Sequence, residues 1–111
     1  MDTGYAELGL PFVQAFWILA TVISVGEGFA VADCGLKALG MDHGNPRIEG
    51  ARIWFCSDEH VTFAPDEPVR VGDRIRVIPA HVDPTVAYHE RFHLVEGDRV
   101  VDEWPVDLRG W

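Results

Sequence analysis

The stretch His81-Val82-Asp83-Pro84-Thr85 holds the residue types with the clearest chemical potential in this 111-residue chain. In an extended segment the side chains of residues i and i+2 point to one face. An imidazole and a carboxylate on one face can grip a divalent ion and leave most of its coordination sphere open, as catalytic metal sites do. Set against this, His81 also reads as a surface-loop histidine. Asp83 reads as the N-cap of a helical turn with Pro84 at its first position. One carboxylate has oxygens enough for both tasks.

Other groups invite the same question. His43, His60, His89 and His93 are available to join a metal site. His89 and His93, on strand-like sequence with Arg91 and Phe92 between them, read as an edge or surface strand without metal. Asp58-Glu59-His60 falls at a turn between two strands, where strands deliver functional groups; otherwise it is a solvated acidic turn. Asp33-Cys34-Gly35-Leu36-Lys37 ends another strand with an acid and a base close together. Lys37 is the only lysine, which raises a Schiff-base hypothesis. No glycine-rich phosphate cradle lies near it, so a structural ion pair is the expected role.

The elements that must position these groups read mostly as strands. Ala15–Val25 is apolar, β-branched and aromatic, and is expected to be a strand buried on both faces, ended by Gly26 and Gly28. Phe29–Asp33, Arg52–Ser57, Val61–Ala64 and Arg74–Ile78 follow as strands. The last alternates Arg with aliphatic residues and so has one wet face and one dry face. Leu36–Met41, His43–Pro46 and Pro65–Val71 read as loops. Arg91–Glu96 and Arg99–Val106 form a hairpin around Gly97-Asp98. Residues 1–14 are a less regular lead-in. The fold class expected is mainly β: a small antiparallel β-barrel or sandwich with one or two short helical turns, in a single domain spanning residues 1–111.

Composition narrows the function. The net charge is −9, with −3 over residues 1–56 and −6 over residues 57–111, and the basic residues do not cluster along the sequence. No electrostatic footprint for nucleic acid is present, and an anionic membrane would repel the chain. The apolar run at 15–25 falls short of the roughly 20 residues of a membrane span. Asp2 and Glu7 precede it, where a signal peptide would carry cations. Cys34 and Cys56 read as small, reduced, buried residues of a cytoplasmic protein.

Several segments together resemble one family. They are Met1-Asp2-x-x-Tyr5, Leu19–Ser24, Asp33-x-Gly35-Leu36-Lys37-Ala38-Leu39, Ser57-Asp58-Glu59-His60, Gly72–Pro79, His81-Val82-Asp83-Pro84-Thr85-Val86 and Trp104-Pro105-Val106. In order and spacing they resemble the C-terminal domain of the D-threonine aldolase and D-serine dehydratase family. The resemblance implies pyridoxal-phosphate enzymes of the alanine racemase type. In these an N-terminal (β/α)₈ barrel holds the cofactor on a lysine, and a C-terminal β domain supplies a divalent metal. The metal ligands it implies are His81 and Asp83. An Asp at the second position marks the aldolase-like branch and favours Mn²⁺ or Mg²⁺, with Zn²⁺ as the alternative, whereas dehydratase-like members carry Cys there. Asp33, Asp58, Glu59 and His60 are implied to line the active site. The substrate implied is a D-β-hydroxy amino acid, cleaved in retro-aldol fashion or dehydrated.

The departures define the expectation. A chain of this length lacks the cofactor barrel, which takes about 250 residues. It also lacks the cofactor lysine, because Lys37 matches a different motif. Val61 stands where the family often has Gly. The isolated chain is therefore expected to be an inactive, metal-binding part of a lyase, either an excised domain or a natural short protein, partnered by a barrel domain. The alternative is a stand-alone binding or oligomerisation module, with Phe16, Trp17, Trp54 and Trp111 on its apolar surface. A third reading, an independent small metalloenzyme, rests on His81 and Asp83 alone.

Overall fold

A computed structural model describes residues 1–107 and 109. Ten elements follow in order: α1 (Thr3–Ala6), β1 (Ile18–Gly26), β2 (Phe29–Ala32), β3 (Arg47–Ile48), β4 (Ala51–Cys56), β5 (Val61–Pro65), β6 (Arg74–Ile78), α2 (Val82–Tyr88), β7 (Arg91–Glu96) and β8 (Arg99–Pro105). Six strands form one antiparallel sheet in the order β3-β6-β1-β2-β5-β4. Its two edge strands, β3 and β4, are successive in the chain and joined at Glu49-Gly50, so the sheet curls into a nearly closed barrel. Register shifts in β1, between Val22 and Ser24, and in β4, between Ile53 and Phe55, supply the local bends that closure needs.

β1 serves two neighbours. Its first half, Ile18–Thr21, pairs with Val77–Arg74 of β6, and its second half, from Val22, pairs with β2. The barrel interior is filled by small and branched residues: Ala20, Val22, Ala30, Ala32, Val61 and Val77, with Phe63 the one large aromatic of the buried cluster among the described residues. A narrow barrel leaves room for little else. The remaining pair, β7 and β8, forms a separate hairpin. It turns on Gly97, whose φ of 62° suits glycine in a tight turn, and it is attached to the segment just before β1 by an edge-to-face contact between Phe92 and Phe16, 5.6 Å between centroids.

Three expectations need correction. The apolar run is not buried on both faces. Only Ala20 and Val22 of β1 are buried, while Leu19 is 59% exposed, Ile23 43% and Val25 47%. In a barrel one strand face looks inward and the other outward, and here the outward one is also apolar. Asp83 is not the N-cap of α2. That position is His81, extended at φ −136°, and Asp83 lies in the first turn. Pro84 is tolerated beside it because the first-turn N–H groups have no partner inside the helix. Nor do all the aromatics form a free apolar surface. Phe16 and Trp17 are half-buried, and Trp17 lies under the Arg76 guanidinium, 4.4 Å from the ring centroid. Trp54 is 44% exposed and packs on Phe29. Trp111 lies outside the described residues.

Candidate metal centre

The site is built around one loop, Asp33–Asn45, which leaves β2 and touches every candidate cluster in turn. Its first part packs on the turn between β4 and β5. Leu36 N–H donates to the Ser57 carbonyl and Lys37 N–H to that of Asp58, both at 2.9 Å. Gly35 makes this approach possible, since a Cβ there would lie 2.1 Å from the Ser57 carbonyl oxygen. The Asp33-x-Gly35-Leu36-Lys37 and Ser57–His60 motifs are thus two sides of one contact. Lys37, Ser57, Asp58, Glu59 and His60 line a shallow depression. Lys37 Nζ pairs with Glu59 Oε1 at 2.7 Å, the ion pair expected of this lysine. Asp33 faces elsewhere: its Oδ1 accepts from Thr21 N–H at 2.6 Å.

Further along, the loop meets the start of α2. Gly40 forms an isolated antiparallel bridge with His81. Thr85, fully buried, locks the two together: its hydroxyl donates to the His81 carbonyl at 2.6 Å and accepts from Gly40 N–H at 2.8 Å. Here His89 is explained too. Its Nε2 lies 2.9 Å from the Ala38 carbonyl, which only accepts, so it carries the proton and holds the same loop. His93 stands apart on β7, with Nδ1 3.4 Å from Glu103.

His81 therefore has a fixed backbone, and its ring has neighbours on both edges and on one face. Nδ1 lies 2.8 and 3.0 Å from the two carboxylate oxygens of Asp42. Nε2 lies 3.4 Å from Asp83 Oδ2. The His43 ring stacks on that of His81, with centroids 4.0 Å apart and planes 5° from parallel. The Asp42 hydrogen bond is the main influence raising the His81 pKa above its ordinary value, with Asp42, Asp83 and Asp2 adding negative field. The same bond lowers the carboxyl pKa of Asp42.

Two arrangements for a cation can be compared. Asp42, His43 and His81 offer donor atoms within 4.8 Å of one another. The stacking argues against one ion shared by all three. Imidazole lone pairs lie in the ring plane, and an ion between two parallel rings stands well out of both planes. On the other edge, Nε2 of His81 and Oδ2 of Asp83 fit one ion. Ligand bonds of about 2.1 Å put two donors roughly 3.0–3.4 Å apart for angles between octahedral and tetrahedral, and the observed separation is 3.4 Å. The Asp83 side chain is 93% exposed, so that side is open to further ligands.

The i, i+2 spacing brought His81 and Asp83 together as expected, although a helix start rather than a strand does it. Sequence reasoning missed Asp42, whose only signal is its place beside His43 in a loop, and the structural parts of Gly40 and Thr85.

Comparison with known proteins agrees with these motifs. Residues 15–95 match the family model of the putative serine dehydratase domain. The chain belongs to that family. It is 39% identical over 102 residues to the 3-hydroxy-D-aspartate aldolase of Paracoccus denitrificans, covering 87% of this chain and 26% of that enzyme. The crystal structure of D-threonine aldolase from Filomicrobium marinum superposes with a TM-score of 0.89 at 34% identity, over 98% of this chain and 33% of that one. A protein of Mycobacterium tuberculosis (strain H37Rv) described as uncharacterized is 35% identical over 127 residues, covering 98% of this chain and 96% of that protein. The chain thus spans about a quarter of the aldolase it matches and nearly all of the mycobacterial protein. As a member of the serine dehydratase domain family it corresponds to the C-terminal domain of those aldolases. The matched stretch holds both clusters that the Asp33–Asn45 loop touches, and β8 lies beyond it.

Proposed function

We propose that this chain is the metal-binding β domain of a pyridoxal-phosphate-dependent lyase acting on D-β-hydroxy amino acids, inactive on its own. The observation that carries the proposal is the His81–Asp83 pair, whose donors fit one divalent ion, with the Asp83 carboxylate open to solvent. The relatives named as aldolases of 3-hydroxy-D-aspartate and D-threonine support the substrate class. One imidazole and one carboxylate favour Mn²⁺ or Mg²⁺, with Zn²⁺ possible. An ion held there supplies Lewis acidity toward a substrate β-hydroxyl. His81 and Asp83 hold it at the domain surface, where a partner barrel domain carrying pyridoxal phosphate can meet it. Asp58, Glu59 and His60, which line a depression with Lys37 where the Asp33–Asn45 loop meets the β4–β5 turn, are proposed to line the space between the domains. The free cysteines Cys34 and Cys56 support a cytosolic setting.

Calorimetry with Mn²⁺ and Zn²⁺ tests this. Wild type is expected to bind, and His81→Ala and Asp83→Ala to lose binding. Equal affinity in all three proteins would sink the assignment. With D-threonine and pyridoxal phosphate the chain alone is expected to release no glycine.

The alternative, a stand-alone non-catalytic binding or oligomerisation module derived from that domain, is favoured by one observation: the match covers nearly all of a mycobacterial relative. It predicts metal-independent self-association by sedimentation, and a strict monomer at high concentration counts against it.

A further inference from the structure

We propose that Asp42 is the positioning carboxylate of the His81–Asp83 pair, fixing His81 in the tautomer that leaves Nε2 bare beside Asp83 Oδ2, so that both can ligate one cation. The inference rests on the metal-binding reading above, and it assigns a role to a residue 39 positions away in the chain.

The argument begins with hydrogen-bond chemistry. An ionised carboxylate only accepts. Both Asp42 oxygens lie within hydrogen-bonding distance of Nδ1, at 2.8 and 3.0 Å. The proton of a neutral His81 therefore sits on Nδ1, which leaves Nε2 bare. Nε2 is the nitrogen that faces Asp83 at 3.4 Å, so the bond on one edge decides what the other edge can bind. A histidine that donates its second nitrogen to a carboxylate is oriented and made more basic toward a metal.

The rest of the surroundings restrict the ring in the remaining directions. The His43 ring covers one face at 4.0 Å. The backbone is held by the Gly40 bridge and the Thr85 hydroxyl. With the backbone and one face held, turning the ring over about its Cβ–Cγ bond would put Cδ2 where Nδ1 stands and break the Asp42 bond. Asp42 is itself exposed, so replacing it removes this bond without opening the core.

The test uses the full chain and two readouts. Nitrogen-15 NMR of the metal-free protein, at a pH where His81 is neutral, reports which nitrogen carries the proton. Loss of the free-ion EPR signal reports Mn²⁺ affinity, and circular dichroism confirms that each variant is folded. Wild type is expected to carry the proton on Nδ1. Asp42→Ala is expected to lose that single tautomer and about 10- to 100-fold in Mn²⁺ affinity. Asp42→Asn, whose amide oxygen still accepts from Nδ1, is expected to keep the tautomer and lose less affinity. A wild-type proton on Nε2, or a folded Asp42→Ala variant with wild-type tautomer and affinity, would overturn the inference. Binding that His81→Ala and Asp83→Ala leave untouched would overturn the metal reading instead, and the tautomer measurement would still decide the role of Asp42.

Discussion

Gly40 and Pro84 touch so closely that a Cβ on Gly40 would lie 2.3 Å from Cγ of Pro84 and 3.1 Å from the His81 carbonyl oxygen. The absent side chain at residue 40 is what lets the loop lie against the first turn of α2 and place His81. Gly40→Ala must push Pro84, and Asp83 with it, away from the loop. We expect a loss of about 1–3 kcal/mol, as for overpacking in general, together with weaker Mn²⁺ binding. Thermal denaturation and metal titration check both, and unchanged stability with unchanged affinity would show that the contact relaxes freely.

Thr85 is the second determinant of the same junction. Its hydroxyl is the acceptor for Gly40 N–H and a donor to the His81 carbonyl, and it is fully buried. Thr85→Val keeps the shape and removes the hydroxyl, leaving the Gly40 N–H, itself buried, without its acceptor. The expected cost is about 1–3 kcal/mol. Thr85→Ser, which retains the hydroxyl, should recover most of it. Chemical denaturation of the two variants side by side separates the hydrogen bonds from the packing.

The exposed Lys37–Glu59 pair makes a pH prediction. The hydrogen bond from Lys37 lowers the pKa of the Glu59 carboxyl, and the same bond raises that of Lys37. A depressed carboxyl contributes stability above its unfolded pKa and loses it as pH falls through the folded value. A raised lysine contributes below its unfolded pKa and loses the contribution as pH rises through the folded value. The pair therefore acts between the carboxylate and lysine ranges, weakly because both groups face solvent and salt. Subtracting the denaturation midpoint of Lys37→Met from that of wild type should give a small difference at neutral pH. It should shrink toward acid and in high salt, and a difference that grows in acid would contradict the ion pair.

What the sequence made legible was local. Gly97-Asp98 marked the β7–β8 hairpin, Asp58–His60 marked the turn between β4 and β5, and the alternation at Arg74 and Arg76 marked a strand with one wet face. These signals lie within a few residues of the structure they specify. The run at 15–25 misled because Leu19, Ile23 and Val25 are apolar yet point outward, so the pattern lacked the alternation that distinguishes one buried face from two. Half of the proposed metal centre was legible for the same local reason, since His81 and Asp83 are two residues apart. The other half was not. Asp42 lies 39 residues from His81, and Gly40 lies 45 from Thr85, so only the barrel closing around them puts these groups together.

The two cysteines should differ in reactivity. Burial, then the neighbouring Cys56, then the Asp33 carboxylate push the Cys34 thiol up to about 12. The pKa of Cys56 is also raised by burial, but the residue is only partly buried. The thiolate is the species that reacts with an alkylating agent. In the native protein at mildly alkaline pH, iodoacetamide is therefore expected to label Cys56 slowly and leave Cys34 untouched. In denaturant both should react at similar rates. Because Cys34 belongs to the buried cluster with Ala32 and Val61, its labelling should follow global unfolding and slow in step with any variant that stabilises the barrel. Peptide mass spectrometry after timed labelling distinguishes the two sites, and native labelling of Cys34 as fast as Cys56 would mean that the barrel opens locally at the end of β2.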